Sequence, residues 1–343
     1  MSFSVIQSLP TPQEVINQYA LSDNLKSIKA RRDAEIKNIF EDKEDKMVLV
    51  IGPCSADCEK SVLEYVLKLA DLQEKVKEKL LLIPRIYTNK PRTNGLGYKG
   101  IMHQPNPKEK PNIANGLLAL RRLHLKCFSE SGLSAADEML YPDVLGYLDD
   151  LLSYIAVGAR SVENQQHRLV SSGVDVPVGM KNPTSGDLSV MFNAIYAAQN
   201  QHAFAYKQTE VHTSGNPLTH VILRGYSTSA GESISNYHYE DLKRVDALYK
   251  KHPTLQNPAI VVDTNHANSG KNYKEQPRIA YNVMESRADN PVLKKLVKGL
   301  MIESYLQEGR QEVGEGIYGK SITDACLGWN DTEKLVYNLA EMV

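Results

Sequence analysis

From Met47 onward, the chain alternates short apolar segments with longer amphipathic ones. Most of the short segments are apolar on both faces, as are the strands of a parallel sheet covered by helices. There are eight of them: MVLVIG (47–52), LLLIPRIY (80–87), LSAADE (133–138), YIAVGA (154–159), VPVGMK (176–181), THVILRG (219–225), AIVVDTN (259–265) and KGLMIE (298–303).

The intervening segments have a helical pattern. Residues 61–79, for example, place apolar side chains at three- and four-residue steps, which predicts a helix with one buried face. Alternating strands and helices predict a parallel α/β fold, and eight such units predict a closed (β/α)8 TIM barrel. A ninth extended segment, HAFAYK (202–207), and the turn cluster Ser214-Gly215-Asn216-Pro217 predict a β-hairpin inserted before the sixth barrel strand.

Residues 1–45 precede this pattern and are predicted to form an N-terminal extension to a catalytic barrel of residues 46–343. The segment Leu9-Pro10-Thr11-Pro12 predicts a turn and then a helix with Pro12 at an early position. A charged amphipathic stretch follows up to Phe40, and EDKEDK (41–46) is expected to be a solvated hinge. The extension is interpreted either as a surface helix that caps a barrel end or as an arm for oligomer contacts or regulation.

Composition and charge narrow the class of protein. A chain of 343 residues with 42% hydrophobic and 24% charged residues fits one barrel with extensions. The formal net charge of -1 does not indicate a nucleic-acid-binding surface. The four cysteines are irregularly spaced, and no stretch reaches the roughly 20 apolar residues of a membrane helix. We therefore expect a reduced, cytoplasmic protein without membrane or nucleic-acid partners.

Every predicted strand delivers a titratable or metal-binding residue to its carboxyl end, where α/β barrels carry their chemistry. One such residue is an ordinary loop start, but eight on one side predict an active-site rim. In strand order they are Cys54; Arg85 with Lys90 and Arg92; Glu138; Arg160; Lys181; Arg224; His266; and Glu303.

Cations are numerous among these rim residues and would repel one another unless anions lie between them. Arginine binds phosphate and carboxylate through two parallel hydrogen bonds, and lysine adds a mobile charge. The rim therefore predicts substrates with several negative groups, such as two phosphates and a carboxylate. Any single cation could instead be a surface residue, although Arg160 and Arg224 directly follow apolar strands.

Three rim residues that are not cations, Cys54, His266 and Glu303, form a possible metal site with Asp324, which lies beyond the last strand. A thiolate, an imidazole and carboxylates suit a divalent transition metal better than magnesium or calcium. Each residue also has a structural alternative. Cys54 could be a small buried residue, His266 could bond to backbone, Glu303 could pair with a rim cation, and Asp324 could cap a helix. Their wide separation in sequence does not decide between these interpretations.

Longer motifs add a resemblance to a known family. The chain resembles the alpha group of type I DAHP synthases, and the matching motifs occur in that family's order between residues 51 and 329. They are IGPCS (51–55), KPRT (90–93), GYKG (97–100), GAR (158–160), PVGMKN (177–182), ILRG (222–225), HAN (266–268), MIES (301–304) and GKSITDACLGW (319–329).

The resemblance implies the condensation of phosphoenolpyruvate with erythrose 4-phosphate and water, which yields DAHP and phosphate. It implies one divalent transition metal ion (Mn, Fe, Co or Zn) held by Cys54, His266, Glu303 and Asp324. Arg92 and Thr93 of KPRT would contact the sugar phosphate. The residues implied to bind phosphoenolpyruvate are Arg85, Lys90, Arg160, Lys181 and Arg224, and Ala159 is a further implied substrate-binding residue.

Catalytic roles follow from the same assignment. Lys181 and the arginines are expected to stabilise charge that develops at the enol carbon. Lys90 is expected to transfer a proton to the new hydroxyl, with a pKa lowered by neighbouring cations. Glu138 and His167 are further catalytic candidates, for which a structural hydrogen-bonding role is the alternative.

The resemblance also implies a homodimer or homotetramer and a possible aromatic amino acid effector. Two alternatives stay open. The first is an octulosonate-phosphate synthase that uses arabinose 5-phosphate, against which KPRT favours the four-carbon sugar. The second is a non-catalytic binding protein on the same barrel, which predicts that a ligand or cation is missing. None is missing from this sequence.

Overall fold

A computed structural model describes residues 2–92 and 94–343, and its central feature is a parallel sheet of eight strands. The strands, in chain order, are β1 (Met47–Gly52), β2 (Leu80–Pro84), β3 (Ala135–Glu138), β4 (Leu152–Val157), β5 (Val178–Lys181), β6 (His202–Tyr206), β7 (Thr209–Thr213), β8 (His220–Leu223), β9 (Tyr226–Ser227), β10 (Ser233–Ile234), β11 (Ile260–Asp263), β12 (Val297–Glu303), β13 (Gln307–Arg310) and β14 (Lys320–Ser321).

The eight-stranded sheet has the order β2-β1-β12-β11-β8-β5-β4-β3. Its two end strands meet at a parallel bridge between Arg85 and Ala136, and Ile86 donates a backbone hydrogen bond of 2.9 Å to the Ala136 carbonyl. The sheet is therefore closed. All eight strands coincide with the eight apolar segments, so the predicted (β/α)8 barrel is confirmed.

Helices cover the outside of the barrel. They are α1 (Pro12–Gln18), α2 (Asp23–Phe40), α3 (Glu59–Val76), α4 (Ile113–Ser131), α5 (Gln165–Ser171), α6 (Leu188–Gln199), α7 (Tyr239–Lys251), α8 (Gln276–Asp289), α9 (Pro291–Leu296) and α10 (Trp329–Met342). Among the described residues, no helix is both long and apolar enough to cross a membrane.

Strand side chains divide between two cores because successive residues point to opposite faces. In β1, Met47, Leu49 and Ile51 pack in the core shared with the helices. Val48 and Val50 point inward and belong to a second cluster with inward residues of the other strands. This alternation explains why the barrel strands are apolar on both faces.

The first helix of the N-terminal extension, α1, is the helix predicted from the sequence. Thr11 and Glu14 form a capping box around the start of α1, and Pro12 occupies the first turn. The end of α2 reaches the barrel interior, where Ile36, Ile39 and Phe40 join the inward-facing cluster. Helix α2 thus closes the amino end of the barrel.

The predicted hairpin is present as the antiparallel pair β6–β7. Its turn lies at Lys207 and Gln208, which both have positive φ values (48° and 64°), as a two-residue hairpin loop requires. The Ser214-Gly215-Asn216-Pro217 cluster instead leads from β7 to β8. Sequence composition did not indicate the true turn because neither residue there is glycine or asparagine.

Candidate active site

A cavity of about 150 Å³ opens at the carboxyl end of the barrel. Most of the site residues predicted from sequence line it: Cys54, Arg85, Lys90, Arg92, Glu138, Ala159, Arg160, Lys181, Arg224, His266 and Asp324. Glu303 lies fully buried beside them, 3.0 Å from the Arg85 guanidinium. Thr93 lies outside the described residues.

Three of the four predicted metal ligands form a tight group. Donor atoms of Cys54, Glu303 and Asp324 all lie within 4.8 Å of one another. His266 approaches this group through its Nε2 atom, 3.8 Å from Glu303 Oε1. The strand ends therefore bring together a thiol, two carboxylates and an imidazole from four distant parts of the chain.

The Glu303 carboxylate is held at one oxygen and unsatisfied at the other. Oε2 accepts a 2.6 Å hydrogen bond from the Asn265 amide. Oε1 is buried and has no aligned donor among the described residues, although the Arg85 guanidinium lies close to it. A buried acceptor without a donor is costly. A cation among Cys54, His266 and Asp324 would satisfy it, so the residues present fit a bound metal ion.

The backbone of His266 is also unusual. Its φ of 53° is left-handed, a conformation that side chains other than glycine seldom adopt and that clusters at functional sites. Nδ1 lies 2.8 Å from the Asp263 carboxylate, an ion-pair distance but without hydrogen-bond alignment. With Nδ1 facing Asp263, Nε2 is the ring nitrogen that faces Glu303.

Lys90 lies between a thiol and a carboxylate rather than among cations. Its ammonium donates to Cys54 Sγ at 2.7 Å and to Asp324 Oδ2 at 2.8 Å. Burial opposes its charge, but Cys54, Asp324 and Glu303 raise its pKa above the ordinary value. The predicted lowering of the Lys90 pKa is therefore wrong. Burial and then the Glu303 charge raise the pKa of the Cys54 thiol to about 11, so a cation is needed to stabilise the thiolate.

Asp263, at the end of β11, was not predicted as a site residue. Its fully buried carboxylate lies 3.0 Å from the Lys181 ammonium and 2.8 Å from His266 Nδ1. Burial would raise its pKa, but His266 and Lys181 together hold that pKa well below the ordinary range. One carboxylate thus orients both a predicted metal ligand and a predicted substrate cation.

The cavity cations fall into two groups. Arg85, Lys90 and Lys181 each have a carboxylate within 3.0 Å. Arg160 and Arg224 form no ion pair within residues 2–92 and 94–343. Burial lowers the pKa of Arg224, and the charge of Asp263 opposes this shift. Uncompensated guanidinium groups in a cavity are suited to an anionic ligand.

Glu138 and His167 are placed differently. Glu138 lines the cavity next to Gly158, where an added Cβ would lie 2.4 Å from Glu138 Oε1. His167 lies outside the cavity lining, and its ring nitrogens are 3.0 Å from the Leu140 carbonyl and from Asn164 Oδ1. The structure thus places Glu138 in the cavity lining and His167 outside it.

Comparison with known proteins adds to this geometry. Residues 24–337 match the DAHP synthetase I family. The chain belongs to the DAHP synthetase I family. The resemblance inferred from the motifs is confirmed, and so is the prediction that the chain is an enzyme of this kind.

Individual relatives of this family match over nearly their whole length. The chain is 38% identical to phospho-2-dehydro-3-deoxyheptonate aldolase of Haemophilus influenzae, over 99% of this chain and 92% of the relative. It is 36% identical to the Phe-sensitive aldolase of that name from Escherichia coli, over 98% and 95%. The solved structure of the aldolase from Francisella tularensis superposes with a TM-score of 0.91 at 31% identity, covering 100% of this chain and 98% of that one.

Three further cavity features of this DAHP synthetase I chain were not predicted. Asp263 is the last residue of β11 and lies three residues before His266, so the carboxyl-end rule applies to it as well. Tyr87 places its ring 3.8 Å from the Arg85 guanidinium, a contact that no spacing indicates. Lys271 lines the cavity from a loop position outside every motif.

Proposed function

We propose that the chain condenses phosphoenolpyruvate with erythrose 4-phosphate and water, giving DAHP and phosphate, the first step of the shikimate pathway. One observation carries the proposal: a thiol, an imidazole and two carboxylates adjoin uncompensated guanidinium groups in one cavity. The family's enzymes act in aromatic amino acid biosynthesis, which is consistent with this reaction.

Phosphoenolpyruvate carries a phosphate and a carboxylate, and the cavity offers matching cations. Arg160 and Arg224 are not neutralised by described residues and would hold one of these groups. Arg85, Lys90 and Lys181 are held in fixed positions by carboxylates, and Ala159 lines the same wall. Arg92, whose Nε donates to the Tyr98 carbonyl at 2.8 Å, would contact the sugar phosphate, together with Thr93 of the same motif.

One divalent transition metal would be held by Cys54, His266, Glu303 and Asp324, and it would supply Lewis-acid polarisation of the sugar aldehyde. Asp263 would keep the His266 ring oriented with Nε2 toward Glu303. The unsatisfied Glu303 Oε1 supports this assignment.

The chain's own residues account for the proton and charge movements. The enol carbon of phosphoenolpyruvate forms a bond to the aldehyde carbon, and positive charge develops at the neighbouring carbon that carries the phosphate ester. Lys90 is protonated, because its pKa is raised, and would donate a proton to the alkoxide formed from the aldehyde. Glu138 is our candidate for accepting a proton from the water that adds to the charged carbon. The bond between this carbon and the phosphate oxygen then breaks, the hydroxyl derived from water loses its proton, and the products are the ketone DAHP and phosphate.

The decisive test is phosphate release from phosphoenolpyruvate. We expect release only when erythrose 4-phosphate and manganese are both present, and none after thorough chelation. Faster turnover with arabinose 5-phosphate would instead assign the octulosonate-phosphate reaction. Absence of turnover with every sugar phosphate would contradict the proposal.

An aromatic amino acid effector is a further part of the proposal, because relatives include Phe-, Trp- and Tyr-sensitive aldolases. A second cavity of about 640 Å³ lies beside the β6–β7 hairpin. Phe204 and Tyr206 provide apolar surface there, while Lys207 and Asp149 provide opposite charges suited to an amino acid backbone. Phenylalanine, tyrosine and tryptophan should be compared by inhibition and by thermal shift, with Phe204→Ala as the variant that loses the response.

We also propose a cytoplasmic homodimer or homotetramer. The N-terminal arm exposes Phe3, Val5 and Ile6, each at more than 90% of its surface, and apolar exposure of this kind favours contact with another chain. Light scattering during size-exclusion chromatography should give a mass of two or four chains, and a monomer would contradict this.

A further inference from the structure

Lys271 lines the same cavity as the predicted substrate cations but belongs to none of the motifs. It follows His266 by five residues, and its backbone N–H donates a 2.8 Å hydrogen bond to the His266 carbonyl. Gly270 and Lys271 both have left-handed φ values, 59° and 64°. Glycine adopts this conformation freely, whereas lysine does so at a cost in energy. The turn therefore places Lys271 at the cavity in a defined backbone conformation.

The charge of Lys271 has no carboxylate partner. Three cavity cations, Arg85, Lys90 and Lys181, are each paired. Within the described residues Lys271 forms no ion pair, and in this it resembles Arg160 and Arg224. Its side chain lines the cavity from an exposed loop position.

We infer that Lys271 is a substrate-binding residue that contacts the phosphate group of one of the two substrates. This inference rests on the proposed function. A phosphate carries up to two negative charges and several acceptor oxygens, and lysine binds it as a mobile point charge. Both proposed substrates carry this group, so the shared chemistry is a phosphate monoester, and the experiment must separate the two sources.

The test compares Lys271→Ala with Lys274→Ala. Lys274 is a matched control because it is exposed like Lys271, lies three residues further on, and places its ammonium 5.8 Å from the Tyr273 ring, outside the cavity lining. We expect Lys271→Ala to raise the KM of one substrate about 10-fold, with kcat changed less than twofold, as loss of a binding contact predicts. Lys271→Arg should retain most of the affinity, because it keeps the charge.

The two substrates give separate outcomes. A rise in the KM of phosphoenolpyruvate alone assigns Lys271 to its phosphate, and a rise in the KM of erythrose 4-phosphate alone assigns it to the sugar phosphate. Unchanged KM values for both substrates, or equal changes in Lys274→Ala, would overturn the inference. Melting temperatures of the variants should match that of the wild type, which separates a binding loss from unfolding.

Direct binding distinguishes this inference from the proposed function. Calorimetric titration with phosphoenolpyruvate, erythrose 4-phosphate and inorganic phosphate requires no turnover. If the wild type binds these probes without catalysis, the proposed function fails, while weaker binding by Lys271→Ala still supports the phosphate contact. If wild type and Lys271→Ala bind all three equally, the contact is refuted whatever the activity.

Discussion

The two ends of the barrel differ in the polar groups that they bury. At the amino end, Phe40 packs 4.5 Å from the His220 ring, measured between centroids. Both nitrogens of that ring lie 2.8 Å from a partner, the Tyr154 hydroxyl and the Leu218 carbonyl. At the carboxyl end, Glu303 Oε1 is buried 3.0 Å from the Arg85 guanidinium but has no aligned hydrogen-bond donor among the described residues, and His266 has a left-handed backbone.

This contrast indicates that the amino end contributes mainly to stability and the carboxyl end mainly to ligand binding. The same eight strands supply both ends, but the amino end is largely apolar, and its His220 ring is paired at both nitrogens, although the buried Thr219 hydroxyl has no partner among the described residues. The carboxyl end retains unsatisfied acceptors and uncompensated cations, which are suited to ligands and not to stability alone. Substitutions at the two ends should therefore separate stability from activity.

Phe40→Ala should have the largest effect on stability. Phe40 is 1% exposed in the inward-facing cluster, and its removal leaves a cavity that should lower the free energy of unfolding by about 3–5 kcal/mol. Denaturant unfolding measures this change. Phe3→Ala is the matched control because Phe3 is 91% exposed, and it should leave the midpoint unchanged. Activity per folded molecule should persist in both variants. A specific loss of kcat in Phe40→Ala would contradict the assignment of stability to the amino end and of activity to the carboxyl end.

His220 should make the amino end sensitive to acid. Burial lowers its pKa from 6.5 to about 4, so the folded state keeps the ring neutral. Above pH 6.5 neither state is protonated and no stability is lost. As pH falls from 6.5 to 4, the unfolded chain binds a proton that the folded chain does not, which should cost roughly 3 kcal/mol.

Unfolding of the wild type and His220→Gln between pH 7 and pH 4 isolates this contribution, because glutamine can still hydrogen-bond the Tyr154 hydroxyl and does not titrate. As pH falls, the unfolding free energy of the wild type should decrease more than that of His220→Gln. Parallel curves would exclude His220 as the source of acid sensitivity.

Cys54→Ser should lower activity without the loss of stability that we expect for substitutions at the amino end of the barrel. The thiol is fully buried beside Glu303 and Asp324, and a hydroxyl is a poor substitute for a thiolate toward a transition metal. We expect manganese affinity and activity to fall about 100-fold. Electron paramagnetic resonance of free manganese gives the affinity, and wild-type binding in the variant would remove Cys54 from the ligand set.

Gly158→Ala should have a smaller effect on activity. The added Cβ would lie 2.4 Å from Glu138 Oε1, so the Glu138 side chain must move. We expect kcat to fall about 10-fold, or 1.4 kcal/mol in activation free energy. The double variant with Glu138→Gln should be no worse than the more damaging single variant, whereas additive losses would indicate that Gly158 acts independently of Glu138.

The sequence by itself determined the barrel. Apolar periodicity predicted all eight strands, and the carboxyl-end rule then selected Cys54, Arg160, Arg224 and most of the other cavity residues. These predictions succeed because periodicity and strand direction are local properties of the chain. The motifs added the family.

The tertiary structure decided which charges meet. Cys54 and Asp324 are 270 positions apart in sequence, yet Cys54 Sγ lies 3.4 Å from Asp324 Oδ2. The raised pKa of Lys90, the bridging position of Asp263 and the unpaired charge of Lys271 depend on such distances. Electrostatic interactions fall with separation in space, and separation along the chain does not specify that distance when residues come from different strands.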